Sequence, residues 1–300
     1  MSILRVFKNG LLCCTVSLVF AACQKNDLRL SSEPSDDLAA AKANGQKGGT
    51  AALKGTSFYA LTATNELVNY LSGNPLREVS AVTITGLAAG ERLLAIDFRP
   101  ATGQLYGVSS ASKIYTINAG TGQATAVGGP FTPAISGEFV GFDFNPTVDR
   151  IRLVTSAGQN LRLNPVTGMV AATDLNINPA SAKVTAVAYT NSFAGATTTT
   201  LYDLDVATDQ LYIQTPPNNG NLVAVGSLGV QAVGEAGFDI APDNSVAIAA
   251  LFGRGLEGEQ MEESNGNKYR FYYIDLTTGK AKNAGKTDRE IIGLAILPNQ

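Results

Sequence analysis

The chain has 300 residues, 45% of them hydrophobic and 16% charged, with a formal net charge of −3. That is apolar material for a sizeable core, so the body is not a disordered segment. The mild acidity argues against nucleic acid as a partner, because basic patches would have to hold its phosphates. Histidine is absent, and the three cysteines (Cys13, Cys14, Cys23) fall within the first 23 residues. This excludes Ser-His-Asp and Cys-His catalysis, and His- or thiolate-held zinc and copper, from everything downstream.

Residues 1–22 read as a secretory signal. Arg5 and Lys8 precede an apolar run over 11–20 that is too short to span a bilayer alone, and Ala21-Ala22 are the small residues before a cut. Phe20-Ala21-Ala22-Cys23 resembles the lipobox of bacterial lipoproteins, although Phe20 stands where Leu is more usual. The resemblance implies cleavage before Cys23 and lipidation of its sulfur; an ordinary signal peptide cut near Ala22 is the alternative. The expectation is an exported lipoprotein of the cell envelope, periplasmic or at the cell surface, tied to the membrane by its lipid anchor. Removal of Arg5 and Lys8 with the signal takes the formal charge from −3 to −5. Residues 23–55, with the lipidated Cys at their head, are polar and lack apolar periodicity. They read as a tether with an end-to-end distance of about 30 Å as a coil.

From residue 56 to 300 the pattern is that of short strands separated by Gly-containing turns, with Gly and Thr plentiful and almost no helical periodicity. Three strands come first, over 57–63, 66–71 and 78–85. Four follow over 93–99, 104–109, 113–118 and 123–128, and four more over 139–145, 150–155, 160–164 and 169–175. Leu94-Ala95-Ile96-Asp97-Phe98-Arg99-Pro100 is echoed by Val140-Gly141-Phe142-Asp143-Phe144-Asn145-Pro146 and by Ala236-Gly237-Phe238-Asp239-Ile240-Ala241-Pro242. Weaker copies centre on Ala188 and Ala295. The steps between markers 97, 143, 188, 239 and 295 are 46, 45, 51 and 56 residues, the spacing of four-stranded propeller blades. The longest step holds an insertion over 253–267. The three leading strands lack an innermost partner, and the strand over 291–297 lacks a blade. Joining them closes a ring of five and removes free sheet edges. The expected fold is therefore all-β, a closed propeller of five four-stranded blades; an open β-solenoid or a pair of sandwiches are the alternatives.

Three segments carry a family resemblance: Phe58-Tyr59-Ala60-Leu61-Thr62, the stretch from Gly141-Phe142-Asp143-Phe144-Asn145-Pro146 to Gly168, and Ala188 to Asp205. They resemble the domain of unknown function 4394 family of bacterial proteins. The resemblance implies a propeller-like body and carries no catalytic residues with it.

The remaining chemistry is that of carboxylates. Asp97, Asp143 and Asp239 each sit between apolar residues of an innermost strand, so alternation sends them to the central channel or the adjacent blade. Glu91, Glu138, Glu235 and Glu290 recur at the start of innermost strands, and blade four breaks both patterns with Lys183 and Ala188. These seven acids form an acidic channel mouth suited to a hard cation such as calcium, or to a cationic ligand group. Alternatively, each Asp accepts hydrogen bonds from backbone in turns. Glu257, Glu259, Glu262 and Glu263 mark the insertion as an acidic loop or a solvated hairpin. Tyr106, Tyr115, Tyr202 and Tyr212 read as inter-blade packing, and Asp203-Leu204-Asp205 reads as an Asp-containing turn without the spacing of a calcium loop. The expected function is a binding or scaffold module for a protein, glycan or small molecule, with no resident cofactor. A carboxylate-dependent hydrolase or lyase in the channel, assisted by calcium, is the alternative.

Overall fold

The computed structural model describes residues 57–71, 77–255 and 268–298. The signal, lipid anchor and tether, and the glutamates of the 257–263 loop, lie outside the described residues. Among the described residues no helix is long and apolar enough to cross a membrane.

The body is a five-bladed β-propeller whose blades are four-stranded antiparallel sheets. Blade 1 combines β1 (Ser57–Thr62), β2 (Glu66–Leu71) and β3 (Glu78–Thr83) with the C-terminal β20 (Ile291–Ile296). Blade 2 holds β4 (Leu93–Arg99), β5 (Gln104–Ser109), β6 (Ile114–Ile117) and β7 (Ala124–Val127). Blade 3 holds β8 (Val140–Asn145), β9 (Arg150–Thr155), β10 (Asn160–Leu163) and β11 (Val170–Thr173). Blade 4 holds β12 (Val184–Tyr189), β13 (Leu201–Asp205), β14 (Gln210–Gln214) and β15 (Leu222–Ser227). Blade 5 holds β16 (Val230–Ile240), β17 (Ala247–Gly255), β18 (Lys268–Ile274) and β19 (Ala281–Thr287). The innermost strands neighbour one another in the order β20, β4, β8, β12, β16 and back to β20, so the ring is closed as the unpaired leading strands required.

Closure is built from a ladder and a core. Phe58 lies opposite Ile296 and Leu61 opposite Gly293. Phe58, Tyr70 and Phe271 pack ring against ring at 5.1–5.5 Å across the junction of blades 5 and 1, a geometry worth about 0.5–1.5 kcal/mol per pair beyond the buried area.

The innermost-strand repeat, which reads Gly-Phe-Asp in blades 3 and 5, is oriented alike in every blade. Its apolar members point back into the seam with the preceding blade, as Phe142 and Phe144 do toward blade 2. The small residue and the marker residue point forward. Gly141 must be small, because a Cβ there would lie 2.9 Å from the backbone nitrogen and from a side-chain carbon of Val187 on the next innermost strand. The Thr-Gly turns are likewise more than turns: Gly168, at φ 71°, seats so close to the Val127 carbonyl of blade 2 that a Cβ would approach it to 1.8 Å. Both sites tie local sequence to contact between blades.

Two sequence readings are corrected. Asp203-Leu204-Asp205 is not a turn; it lies within β13, with Asp203 opposite Tyr212. The backbone groups that meet Asp97, Asp143 and Asp239 belong to innermost strands and not to turns. Of the four tyrosines, Tyr106 and Tyr115 are buried between blades, whereas Tyr202 and Tyr212 are half-buried.

Candidate functional site

Strand alternation brings Asp97, Asp143 and Asp239 to the axis, where one carboxylate oxygen from each lies within 4.8 Å of the others and each residue is 2–3% exposed. Asp97 Oδ1 accepts the Phe98 N–H and its Oδ2 the Phe144 N–H of blade 3, both at 2.7 Å. Asp239 accepts the Ile240 N–H (2.6 Å) and the Ile296 N–H of blade 1. Asp143 Oδ1 accepts the Tyr189 N–H of blade 4 at 3.1 Å, and among the described residues no amide is seen to reach its Oδ2. The five amides are equivalent, each belonging to the residue after a marker position. Where the preceding blade carries Ala (Ala188, Ala295), the next Asp serves its own strand's amide as well.

This clasp is electrostatically loaded. Burial raises the pKa of all three carboxyls. For Asp97 the nearby Asp239 adds to the effect, and for Asp143 both neighbours do. Asp239 is pushed up to about 7, with the Ile296 and Ile240 amides opposing. Three carboxylates this close do not all ionise near neutral pH.

The four glutamates part company. Glu91 is neutralised within its own blade, by Lys113 and by the Tyr115 hydroxyl at 2.6 Å. Burial opposes its charge, but these partners hold its pKa below the usual range. Glu138, Glu235 and Glu290 instead converge on the channel mouth from blades 3, 5 and 1. There, with Arg92, Phe252 and Tyr269, they line a cavity of about 530 Å³. Arg92 lies 3.7 Å from Glu235, and the Tyr269 hydroxyl donates to Glu290 at 3.2 Å. Burial raises the Glu235 pKa; Arg92 opposes, while Glu290 and Glu138 add to it. The Phe252 and Tyr269 rings lie 4.7 Å apart.

A second cavity of about 790 Å³ adjoins the first, and Glu138, Phe139, Val233 and Gly234 line both. It lies over blade 4, where the repeat pattern breaks, with Lys183, Val206 and Asp209 on its wall. The departure of blade 4 from the repeat thus coincides with the larger hollow of this face.

Sequence reasoning missed a buried polar seam between blades 3 and 4. Arg152, 2% exposed, donates to the Tyr189 hydroxyl (3.3 Å), to Asn160 Oδ1, to Asp174 Oδ2 and to Asn218 Oδ1 (each 2.7 Å). Asp174 also receives Arg162 at 2.8–2.9 Å. Facing this network from blade 4 are Asp203, fully buried with neither carboxylate oxygen hydrogen-bonded, and Gln214, whose Oε1 is also without a donor. Burial raises the Asp203 pKa well above the carboxylate range, against the pull of Arg152. The apolar cluster of this seam is the smallest of the five among the described residues. The available signal was alternation: Arg152 shares a face with Asp143, and Asp203 stands between two apolar neighbours.

A comparison with curated proteins finds no match. Among solved structures, a protein of unknown function from Bacteroides caccae aligns at TM-score 0.42 and 11% identity, over 81% of this chain and 100% of that one. Another protein of unknown function, from Bacteroides thetaiotaomicron, aligns at 0.45 and 14%, over 76% and 57%. The dihydro-heme d1 dehydrogenase NirN aligns at 0.35 and 10%, over 77% and 54%. At these scores the likeness transfers nothing to this chain. The domain of unknown function DUF4394 matches residues 66–295, a span that takes in blades 2 to 5 and all of blade 1 except β1 and the end of β20, and the chain belongs to that family.

Proposed function

We propose that this protein is a binding module of the cell envelope, exported and held at the membrane through Cys23. It receives a ligand on the face where the innermost strands begin. The observation that supports this reading is the pair of adjoining cavities, about 790 and 530 Å³, that run from blade 4 to the channel mouth. Concave, partly apolar surfaces with a few convergent charges are where ligands bind. Three glutamates against one arginine leave the mouth net negative, so a cationic group of the ligand faces Glu138, Glu235 and Glu290 while its apolar part rests on Phe139, Val206 and Val233. Asp97, Asp143 and Asp239 enter this reading as the ring's clasp. A calcium-assisted hydrolase would need them open to substrate, and five of their six oxygens are occupied by backbone amides.

Calorimetric titration of the full-length chain with tetralysine and tetraglutamate tests the proposal. Tetralysine is expected to bind and tetraglutamate not, with Glu235→Gln/Glu290→Gln weakening binding at least about tenfold at low salt. Equal behaviour of the two peptides, or an unaffected double variant, would sink it.

A further inference from the structure

The entrance to each innermost strand carries a charge, and one of the five has the opposite sign. Four to six residues before the marker stand Glu91, Glu138, Glu235 and Glu290, and at the equivalent point of blade 4 stands Lys183. Because β12 lies between β8 and β16 in the ring, this lysine is flanked by Glu138 and Glu235. Opposite charges at neighbouring positions could pair with each other, and these do not. Lys183 and Glu138 are both exposed, and among the described residues neither forms an ion pair. The cavity of about 790 Å³ is lined by both.

The wall that goes with these two charges is largely apolar. Phe139, Val206 and Val233 line it, and Val233 is 48% exposed. Val233 stands in a bulge: Ala232 pairs with Gly253 and Ala236 with Leu251, so Val233, Gly234 and Glu235 face Phe252 alone. Bulges re-aim side chains, and this one gives Val233 to both cavities and Glu235 to the channel mouth. Asp209 is the third charged residue of the larger cavity. Its Oδ1 accepts the Ala232 N–H at 2.9 Å, and burial raises its pKa. Asp209 is therefore engaged within the fold, and the ammonium of Lys183 is left to an outside partner.

We infer that Lys183 is an anion subsite of the cleft, and that the ligand is dipolar: a short peptide with both termini free. Its ammonium faces Glu138, Glu235 and Glu290, its carboxylate meets Lys183, and its apolar part rests on Val233 between them. Lysine suits this role, since a point charge with three rotatable donors takes a terminal carboxylate without a fixed fork geometry. Pockets of about 300–1,000 Å³ take small molecules, which fits a few residues of peptide and not a folded partner. The inference rests on the cleft reading above and adds a second contact of opposite sign.

Calorimetric titration of the full-length chain at low salt, with tetralysine and with its C-terminal amide, tests it. The two peptides differ only at the terminal carboxylate, and the amide is the more positive. A mouth that reads positive charge alone prefers the amide. With the anion subsite the order reverses, and tetralysine is expected to bind about three- to fivefold tighter. Lys183→Gln removes that preference, and Lys183→Glu, which restores the residue type of the other four blades, inverts it. Both variants keep the backbone bond from the Lys183 N–H to Asp205 Oδ2 at 2.9 Å, so their thermal midpoints should match the parent. If the parent binds the amide as tightly as tetralysine or tighter, the inference is overturned and the cationic reading of the cleft stands. If neither peptide binds, both fall. A preference for tetralysine that persists in Lys183→Glu would also overturn the inference, because the carboxylate would then sit elsewhere.

Discussion

Replacing the three axial aspartates by asparagine, one at a time, separates a backbone clasp from a cation site. Asparagine keeps one acceptor oxygen and turns the other into an amino group. Asp97 and Asp239 each use both oxygens, so Asp97→Asn and Asp239→Asn leave a buried N–H facing another donor. An unsatisfied buried donor costs about 1–3 kcal/mol, which for a body of this size, at about 2–4 °C per kcal/mol, is a fall of roughly 2–12 °C in Tm. Asp143 uses one oxygen. Asp143→Asn keeps the bond from Tyr189, removes one of three buried acids lying within 4.8 Å of each other, and directs new donors at the other two. Its Tm at pH 8 is expected to equal or exceed that of the parent. The assay is calorimetric unfolding of the four proteins at pH 8, repeated with calcium and with EDTA. A fall for Asp143→Asn as large as that for Asp97→Asn would refute the clasp. A calcium-dependent rise in the parent, lost in Asp143→Asn, would refute it independently by showing that the spare oxygen ligates an ion.

Three further outcomes are expected. Between about pH 5 and 8 the parent should lose stability: its axial carboxyls have raised pKa values, so the stability they contribute is full below the unfolded carboxylate range and is lost as pH rises through the folded values, about 7 for Asp239. Below about pH 4 the sign reverses, because Asp149, held below its ordinary pKa by Arg99, loses its contribution as it protonates; a midpoint that climbs steadily from pH 5 to 8 would contradict this. Deleting residues 291–300 removes β20 and leaves β1 and the aromatic junction of blades 5 and 1 uncovered, so soluble yield should collapse; a truncated protein that melts like the parent would remove the closure argument. Finally, Cys23→Ser should move the protein from the membrane fraction to the soluble fraction, and continued lipid labelling of that variant would count against the anchor.

The ring was legible because a propeller repeats its innermost strand. The copies around Asp97, Asp143 and Asp239 fix the period, and the orphan strand at the C-terminus then has one place to go. Strand ends in blades 2 and 3 fall within about two residues of expectation, since Gly turns bound them sharply. Less could be read of the site. Alternation says that Asp143 faces away from Phe142 and Phe144, but not that it reaches an amide 46 residues downstream. Four entrance glutamates look alike in sequence, yet Glu91 is cancelled by Lys113 and Tyr115 from a strand 22 and 24 residues away. Arg152 draws no notice within Arg-Ile-Arg-Leu-Val, because its burial depends on Asn218, 66 residues distant. Asp203 was read as turn because Asp-x-Asp favours turns, and the ladder with Tyr212 overrode that preference.

The axial clasp also acts as a rule of succession. An Asp serves the next strand's amide and, where needed, its own; an Ala serves none. Two Ala blades in a row would strand an amide, and the observed order around the ring, Ala295, Asp97, Asp143, Ala188, Asp239, never places two together. With each acid able to cover at most two amides, five amides need at least three acids. The ring therefore carries the fewest mutually repelling carboxylates that leave no axial amide bare. Six oxygens against five amides leave one over, and that remainder is Asp143 Oδ2. A duplication of blade 4 in tandem would break the rule, whereas a duplication of blade 3 would keep it. Ring size in such a protein is thus constrained by which blade is copied, and not by the spacing of the strands alone.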